Sequence, residues 1–224
     1  MGTEKEIFDA VRAGDAAAVA RLVDAEPALL GAKNEQGQSA VLAACYTGRK
    51  EIRDLLIARG APLELHEAAA AGQFGRVKEL VEKDPLLAKG YSPDGFPLLA
   101  LAAAFGHGDV ARYLAEKGGD VNAISTNGMG YTALTGAVAG SHAAIVQWLL
   151  QQGANANYRY GPGYSPLFEA AANGKLEIVK MLVEHGADAN AVTNDGKTAL
   201  HIAEERKHAA VAEFLRSRSQ SANA

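Results

Sequence analysis

Two short glycine patterns, six histidines and one cysteine are the residues of this chain whose types could do chemistry. Gly196-Lys197-Thr198 ends like a phosphate-binding loop, in which backbone amides cradle phosphates and the lysine neutralises them. That chemistry needs a leading glycine five positions earlier, where Ala191 stands. Gly128-Met129-Gly130-Tyr131-Thr132-Ala133 fits a loose dinucleotide fingerprint and opens a helix. It lacks a buried parallel strand before it and an acidic residue ending a strand about 20 residues later. The histidines, His66, His107, His142, His185, His201 and His208, include no His-Glu-x-x-His pair, and paired cysteines are absent, so a zinc site is not expected. Cys45 has no base at a telling spacing and reads as a packed thiol. With no Gly-x-Ser-x-Gly elbow either, the expectation is a chain without catalytic residues, cofactor or metal.

What these residues share is a place in a repeating grammar. Gly163-Tyr-Ser-Pro-Leu-Phe-Glu-Ala-Ala-Ala-Asn-Gly, followed by Lys-Leu-Glu-Ile-Val-Lys-Met-Leu-Val-Glu-His-Gly-Ala-Asp-Ala-Asn-Ala191, describes turn, short helix, turn, longer helix and loop. Equivalent positions are placed at Glu6, Ala40, Glu64, Leu98, Ala133, Pro166 and Ala199, at intervals of 34, 24, 34, 35, 33 and 33 residues. The opening of the unit resembles the Thr-Pro-Leu-His-x-Ala-Ala signature of ankyrin repeats, and its end resembles that family's Gly-Ala-Asp-Val-Asn-Ala. The resemblance, to stand-alone bacterial-type arrays in particular, implies an all-α repeat solenoid of stacked helix-turn-helix units with short β-hairpin fingers. A unit of this size cannot bury its own apolar face, so stacking must build the core.

About seven repeats are expected over residues 1–218, with the third lacking its finger. Gly60-Ala-Pro-Leu-Glu-Leu-His66 is about nine residues short, so two repeats (1–62) join five (63–218) at a seam near 60–64. His66 and His201 are assigned to the signature histidine position, which in the family orients hydrogen bonds near the repeat turn. Val110 and Leu114, Ile145 and Leu149, and Ile178 and Leu182 form the i, i+4 stripe of the second helices. Gly14, Gly48, Gly72, Gly106 and Gly174 occupy the inter-helix turn, where a left-handed residue commonly ends the first helix; Ser141 and Lys207 stand there in two repeats, and the turn of the last repeat, at Lys207, is expected to be strained. The polar stretch from Ser217 is expected to fray, leaving 219–224 as a disordered tail.

A net charge of −4 with both signs dispersed gives no basic footprint for nucleic acid or an anionic membrane. No apolar run nears the roughly 20 residues that span a bilayer, the first residues lack a signal peptide's apolar stretch, and a lone cysteine suits a reducing compartment. A cytoplasmic monomer is expected, with a dimer as the alternative. The resemblance implies binding of a protein partner, whose identity the residues do not disclose, through fingers and inner helices. The positions it carries over hold Asp94, Phe96, Phe105, Met129, Tyr131, Arg159, Tyr160, Tyr164 and Asn173. Aromatic bulk in the middle with polar residues at either end is the anatomy of an interface. Two alternatives stand beside it: finger aromatics that pack on adjacent fingers and stiffen the array, and a self-associating scaffold, with Tyr113, Trp148, Met181 and Phe214 recurring on the second helices.

Overall fold

The computed structural model describes residues 3–221, with side chains described to residue 218. Fourteen α-helices among them alternate between two layers. The inner layer holds α1 (Glu4–Ala13), α3 (Ala40–Tyr46), α5 (Leu65–Ala71), α7 (Leu98–Ala104), α9 (Ala133–Ala139), α11 (Pro166–Ala172) and α13 (Ala199–Glu205). The outer layer holds α2 (Ala16–Ala25), α4 (Lys50–Ala58), α6 (Phe74–Lys83), α8 (Gly108–Glu116), α10 (Ala143–Gln151), α12 (Leu176–Glu184) and α14 (Ala209–Ser221). Each inner helix packs on its outer partner and on the next inner helix. Seven-residue inner helices are too short to persist alone and exist because both faces are covered. The small residues Ala68 to Ala71, Ala100, Ala102 and Ala103 let them approach closely, and these side chains are buried.

Caps set the register and correct two assignments. Thr132 and Thr198 cap α9 and α13 in reciprocal boxes with the residue three places on. Glu64 does the same for α5 with Glu67, and Thr3 for α1 with Glu6. The equivalents of Pro166 are therefore Glu4 and Leu65, not Glu6 and Glu64. His66 consequently stands at the position filled by Leu99, Leu134, Leu167 and Leu200, and Glu67 holds the signature histidine's place. His201 keeps its assignment, its Nδ1 lying 2.9 Å from the Thr198 hydroxyl and accepting the Thr198 N–H at 3.1 Å.

The outer stripe Val110, Leu114, Ile145, Leu149, Ile178 and Leu182 is buried. Emptying one such site, as in Leu149→Ala, would cost about 2–5 kcal/mol. Tyr113 meets Phe74 edge-on at 5.4 Å, Arg112 lies over Trp148, and Lys180 lies over Phe214, so these rings tie α8 to α6, α10 to α8 and α14 to α12. The α14 helix continues to Ser221, so residues 217–221, expected to fray, are helical; the rest of that expected tail, 222–224, lies outside the described residues.

The fingers carry isolated antiparallel bridges, Lys33 with Ser39, Tyr91 with Pro97, Tyr160 with Tyr164 and Val192 with Thr198, rather than sheet. Neighbouring fingers are stitched by Thr126 N–H to the Gly95 carbonyl (2.8 Å) and Asn194 N–H to the Pro162 carbonyl (3.0 Å). Between α4 and α5 only Arg59 to Glu64 intervene, and no bridge forms there. The finger after this gap has Pro93 where Thr126 and Asn194 donate, so the backbone bond that stitches later fingers is replaced here by a residue with no N–H to leave unpaired.

The buried apolar side chains fall into two clusters that meet inside α5. Ala70 and Ala71 belong with the first two repeats, while Leu65, Ala68 and Ala69 belong with the remainder. Leu63 and Phe105 pack against both. The missing finger thus coincides with a division of the core, although α3 still packs on α5 across it.

Candidate functional site

The inner helices end, and the fingers project, on one side of the array, and there the aromatic residues form a chain of contacts. Phe96 and Tyr131 have ring centroids 6.1 Å apart, and Tyr131 and Tyr160 5.8 Å apart, each pair tilted. Each of these rings comes from a successive finger, the place that the turn glycines Gly95, Gly130 and Gly161, all at positive φ, let the chain reverse. Tyr164 turns inward and meets Phe168 of α11 edge-on at 5.9 Å. All four finger rings are half-buried, so they pack on neighbours as the stiffening alternative expects while keeping an exposed edge.

Met129 at the fifth finger tip is 56% exposed. Arg159 donates to the Val192 carbonyl of the next finger. Asn173 at the end of α11 donates to Glu169 at 3.0 Å. Burial raises the Tyr160 phenol above its ordinary pKa, and the Glu169 carboxylate adds to the effect, so this hydroxyl stays a donor throughout the physiological range.

Asp94 is the meeting point of two halves. Its carboxylate accepts from the Tyr46 hydroxyl at 2.7 Å, from Gln38 Nε2 at 3.4 Å and from the Ser92 hydroxyl at 2.5 Å. Tyr46 also lies 5.6 Å from Phe105 and 6.4 Å from Phe96. Burial, then the hydrogen bond to Asp94, raises the Tyr46 pKa. The second repeat, read from sequence as polar border, therefore contributes the first ring of the strip. The available signal was that Tyr46 ends α3 one position before the place Phe105 holds after α7, combined with a missing finger between the second and fourth.

The residues that could have done other chemistry sit in architectural roles. Gly196-Lys197-Thr198 closes the last finger, with Lys197 paired to Glu205 at 2.9 Å. Cys45 is buried, which pushes its thiol pKa up to about 12 and removes its nucleophilic form. Among the described residues, no three His, Cys, Asp or Glu side chains are grouped to hold a metal ion. His107, His142 and His208 each hydrogen-bond through Nε2 to a backbone carbonyl of the preceding repeat, those of Ala70, Ala104 and Ala172, at 3.1, 3.1 and 3.0 Å. His208 holds the same position after its turn as the other two.

Paired helices stacked in one direction, with fingers on one edge, match the family model for ankyrin repeats (3 copies) over residues 65–160 and 155–224. The chain belongs to the ankyrin repeat family. The match starts at Leu65, the first residue of α5. Among curated proteins the chain is 34% identical over 110 residues to alpha-latrocrustotoxin-Lt1a of Latrodectus tredecimguttatus, covering 46% of this chain and 8% of that protein. It is 34% identical over 96 residues to ankyrin repeat and SAM domain-containing protein 6 of Rattus norvegicus and of Mus musculus, covering 43% of this chain and 11% of each. The chain thus spans about a tenth of the length of these relatives. Ankyrin repeats are generally protein–protein interaction modules and are typically non-catalytic. No helix among the described residues is long and apolar enough to cross a membrane.

Proposed function

We propose that this ankyrin array is a non-catalytic, cytoplasmic module that binds a protein partner across the concave face made by fingers and inner helices. The contact set proposed is Asp94, Phe96, Phe105, Met129, Tyr131, Arg159, Tyr160, Tyr164 and Asn173, to which Tyr46 is added. The observation that supports it most is the row Tyr46, Phe96, Tyr131 and Tyr160, each ring in contact with the next and each with an exposed edge. Rings held by their neighbours offer rigid contact area with little entropy left to lose on binding. The exposed Met129 beside them supplies an adaptable apolar side chain. Self-association through the outer helices has less support, since Tyr113, Trp148 and Phe214 are engaged by residues of their own array.

A photo-crosslinking amino acid placed at Met129, and in a second variant at the exposed outer-helix residue Lys180, tests the face directly in extract from the native host. The reading expects a discrete crosslinked protein from position 129 and none from 180. The reverse pattern, or a crosslink to a second copy of the chain, would transfer the function to the outer face or to self-association.

A further inference from the structure

Beside the shortened linker lies a cavity of about 470 Å³, and none of the residues proposed for the concave contact set lines it. Leu63, Leu65, Leu80, Leu87, Tyr91 and Leu98 line it, and Leu86, next to Leu87 in the chain, is 74% exposed. A cavity of this size, open at one side and extended by exposed apolar side chains, has the dimensions of a binding site rather than a packing defect.

His66 makes the cavity more than an apolar gap. It occupies the position that holds leucine in the four repeats that follow, is 5% exposed, and lines the cavity wall. Its ring nitrogens lie 3.8 Å from Glu64 and 4.0 Å from Glu67, beyond hydrogen-bond distance. A ring that lines a cavity and makes no hydrogen bond of its own there is available to pair with a polar group of a bound segment.

The rest of the chain indicates what fits. In the later repeats the linker continues past the equivalents of Leu63, which are Val121, Ala156 and Ala189, into an extended finger segment that lies against the neighbouring loop. Asn122 there hydrogen-bonds the carbonyl of Gly153 at 3.1 Å and the N–H of Asn155 at 2.9 Å, and Asn157 does the same to Gly186 and Asp188 at 2.7 and 2.9 Å. At the seam this segment is missing and the loop beside it, residues 85–91, presents Leu87 and Tyr91 to open space.

We propose that the seam cavity is a second protein-binding site, which receives an extended segment of a partner in place of the missing finger. The segment carries a small or medium apolar side chain into the leucine-lined cavity, and a backbone group of it hydrogen-bonds His66. This site is independent of the concave face.

The probe is a synthetic peptide of residues 121–132 of this chain, the finger segment that the third repeat lacks, titrated into the full chain with labelled leucine methyls. The expected result is saturable shifts confined to Leu63, Leu65, Leu80, Leu87 and Leu98, with Leu182 and Leu215 unmoved, and no such shifts with a scrambled peptide. Leu80→Trp, which fills the cavity, should weaken binding at least about tenfold, and His66→Leu about fivefold, the worth of one hydrogen bond. Circular dichroism melting of both variants shows that the array is intact. Absence of the shifts, equal shifts with the scrambled peptide, or unchanged binding to folded Leu80→Trp would overturn the site. Unchanged binding to folded His66→Leu would overturn the part given to the imidazole.

Discussion

The imidazole of His107 lies directly over Gly72: a Cβ built on Gly72 would sit 2.2 Å from His107 Nδ1, while Nε2 of the same ring hydrogen-bonds the Ala70 carbonyl at 3.1 Å. His142 covers Gly106 and His208 covers Gly174 in the same way. Glycine in these turns is thus required twice, by its positive φ and by the ring of the next repeat. Among the described residues, Ser141 and Lys207 alone combine a side chain with positive φ, at 59° and 62°. In the repeat after Ser141 the covering position holds the flexible Lys175, and no inner helix follows Lys207 among the described residues, so neither turn has a ring above it.

Gly72→Ala should therefore cost about 2–4 kcal/mol, the left-handed penalty plus the overlap with the ring. Gly48→Ala, at φ 68° with open space around its Cβ, should cost only about 1 kcal/mol. Urea unfolding of the two variants checks the difference, and adding His107→Ala to Gly72→Ala should narrow it.

Lys207→Gly should stabilise the chain by about 1 kcal/mol, because it removes the left-handed strain at φ 62° without disturbing a neighbour. Ser141→Gly should act in the same direction. A lower urea midpoint for Lys207→Gly would contradict this account of the turn.

Burial lowers the His107 pKa, with the Arg53 charge adding to it, while the hydrogen bond to Ala70 opposes the shift. The folded state then binds a proton less readily than the unfolded state. The contribution is present in full above the ordinary histidine pKa of about 6.5 and declines as pH falls below it towards the folded value. Wild type should lose stability from pH 7 to pH 5 more steeply than His107→Gln, as read from urea midpoints.

The division of the core inside α5 should appear as two opening units. Hydrogen exchange is expected to show residues 4–62 opening at lower free energy than residues 98–205, and Tyr46→Phe should widen the gap by about 1 kcal/mol by removing the hydroxyl that reaches Asp94. Uniform protection across residues 56–70 would show one cooperative array.

The fold was legible because a solenoid is local. Stripes such as Ile178 and Leu182, and glycines at most turns, declare one unit at a time, and the strained turn at Lys207 follows from its place in that unit. The register of the third repeat was harder, since Glu64-Leu65-His66-Glu67 offers a histidine one place before the signature position, and only the cap formed by Glu64 and Glu67 separates the two alignments. The candidate site was half legible. Individual finger aromatics could be placed on the face, but their contacts and the arrival of Tyr46 depend on how far successive fingers lean together, which no single repeat encodes.

The most direct test of the concave-face account is capture of the partner from native-host extract by wild type, by Met129→Asp, and by the triple variant Phe96→Ser, Tyr131→Ser and Tyr164→Ser, with melting followed in parallel. The account predicts that Met129→Asp melts as wild type and captures at least about tenfold less partner, and that the triple variant keeps its helical signal while capture is lost. Undiminished capture by both folded variants would contradict it and place the binding face elsewhere.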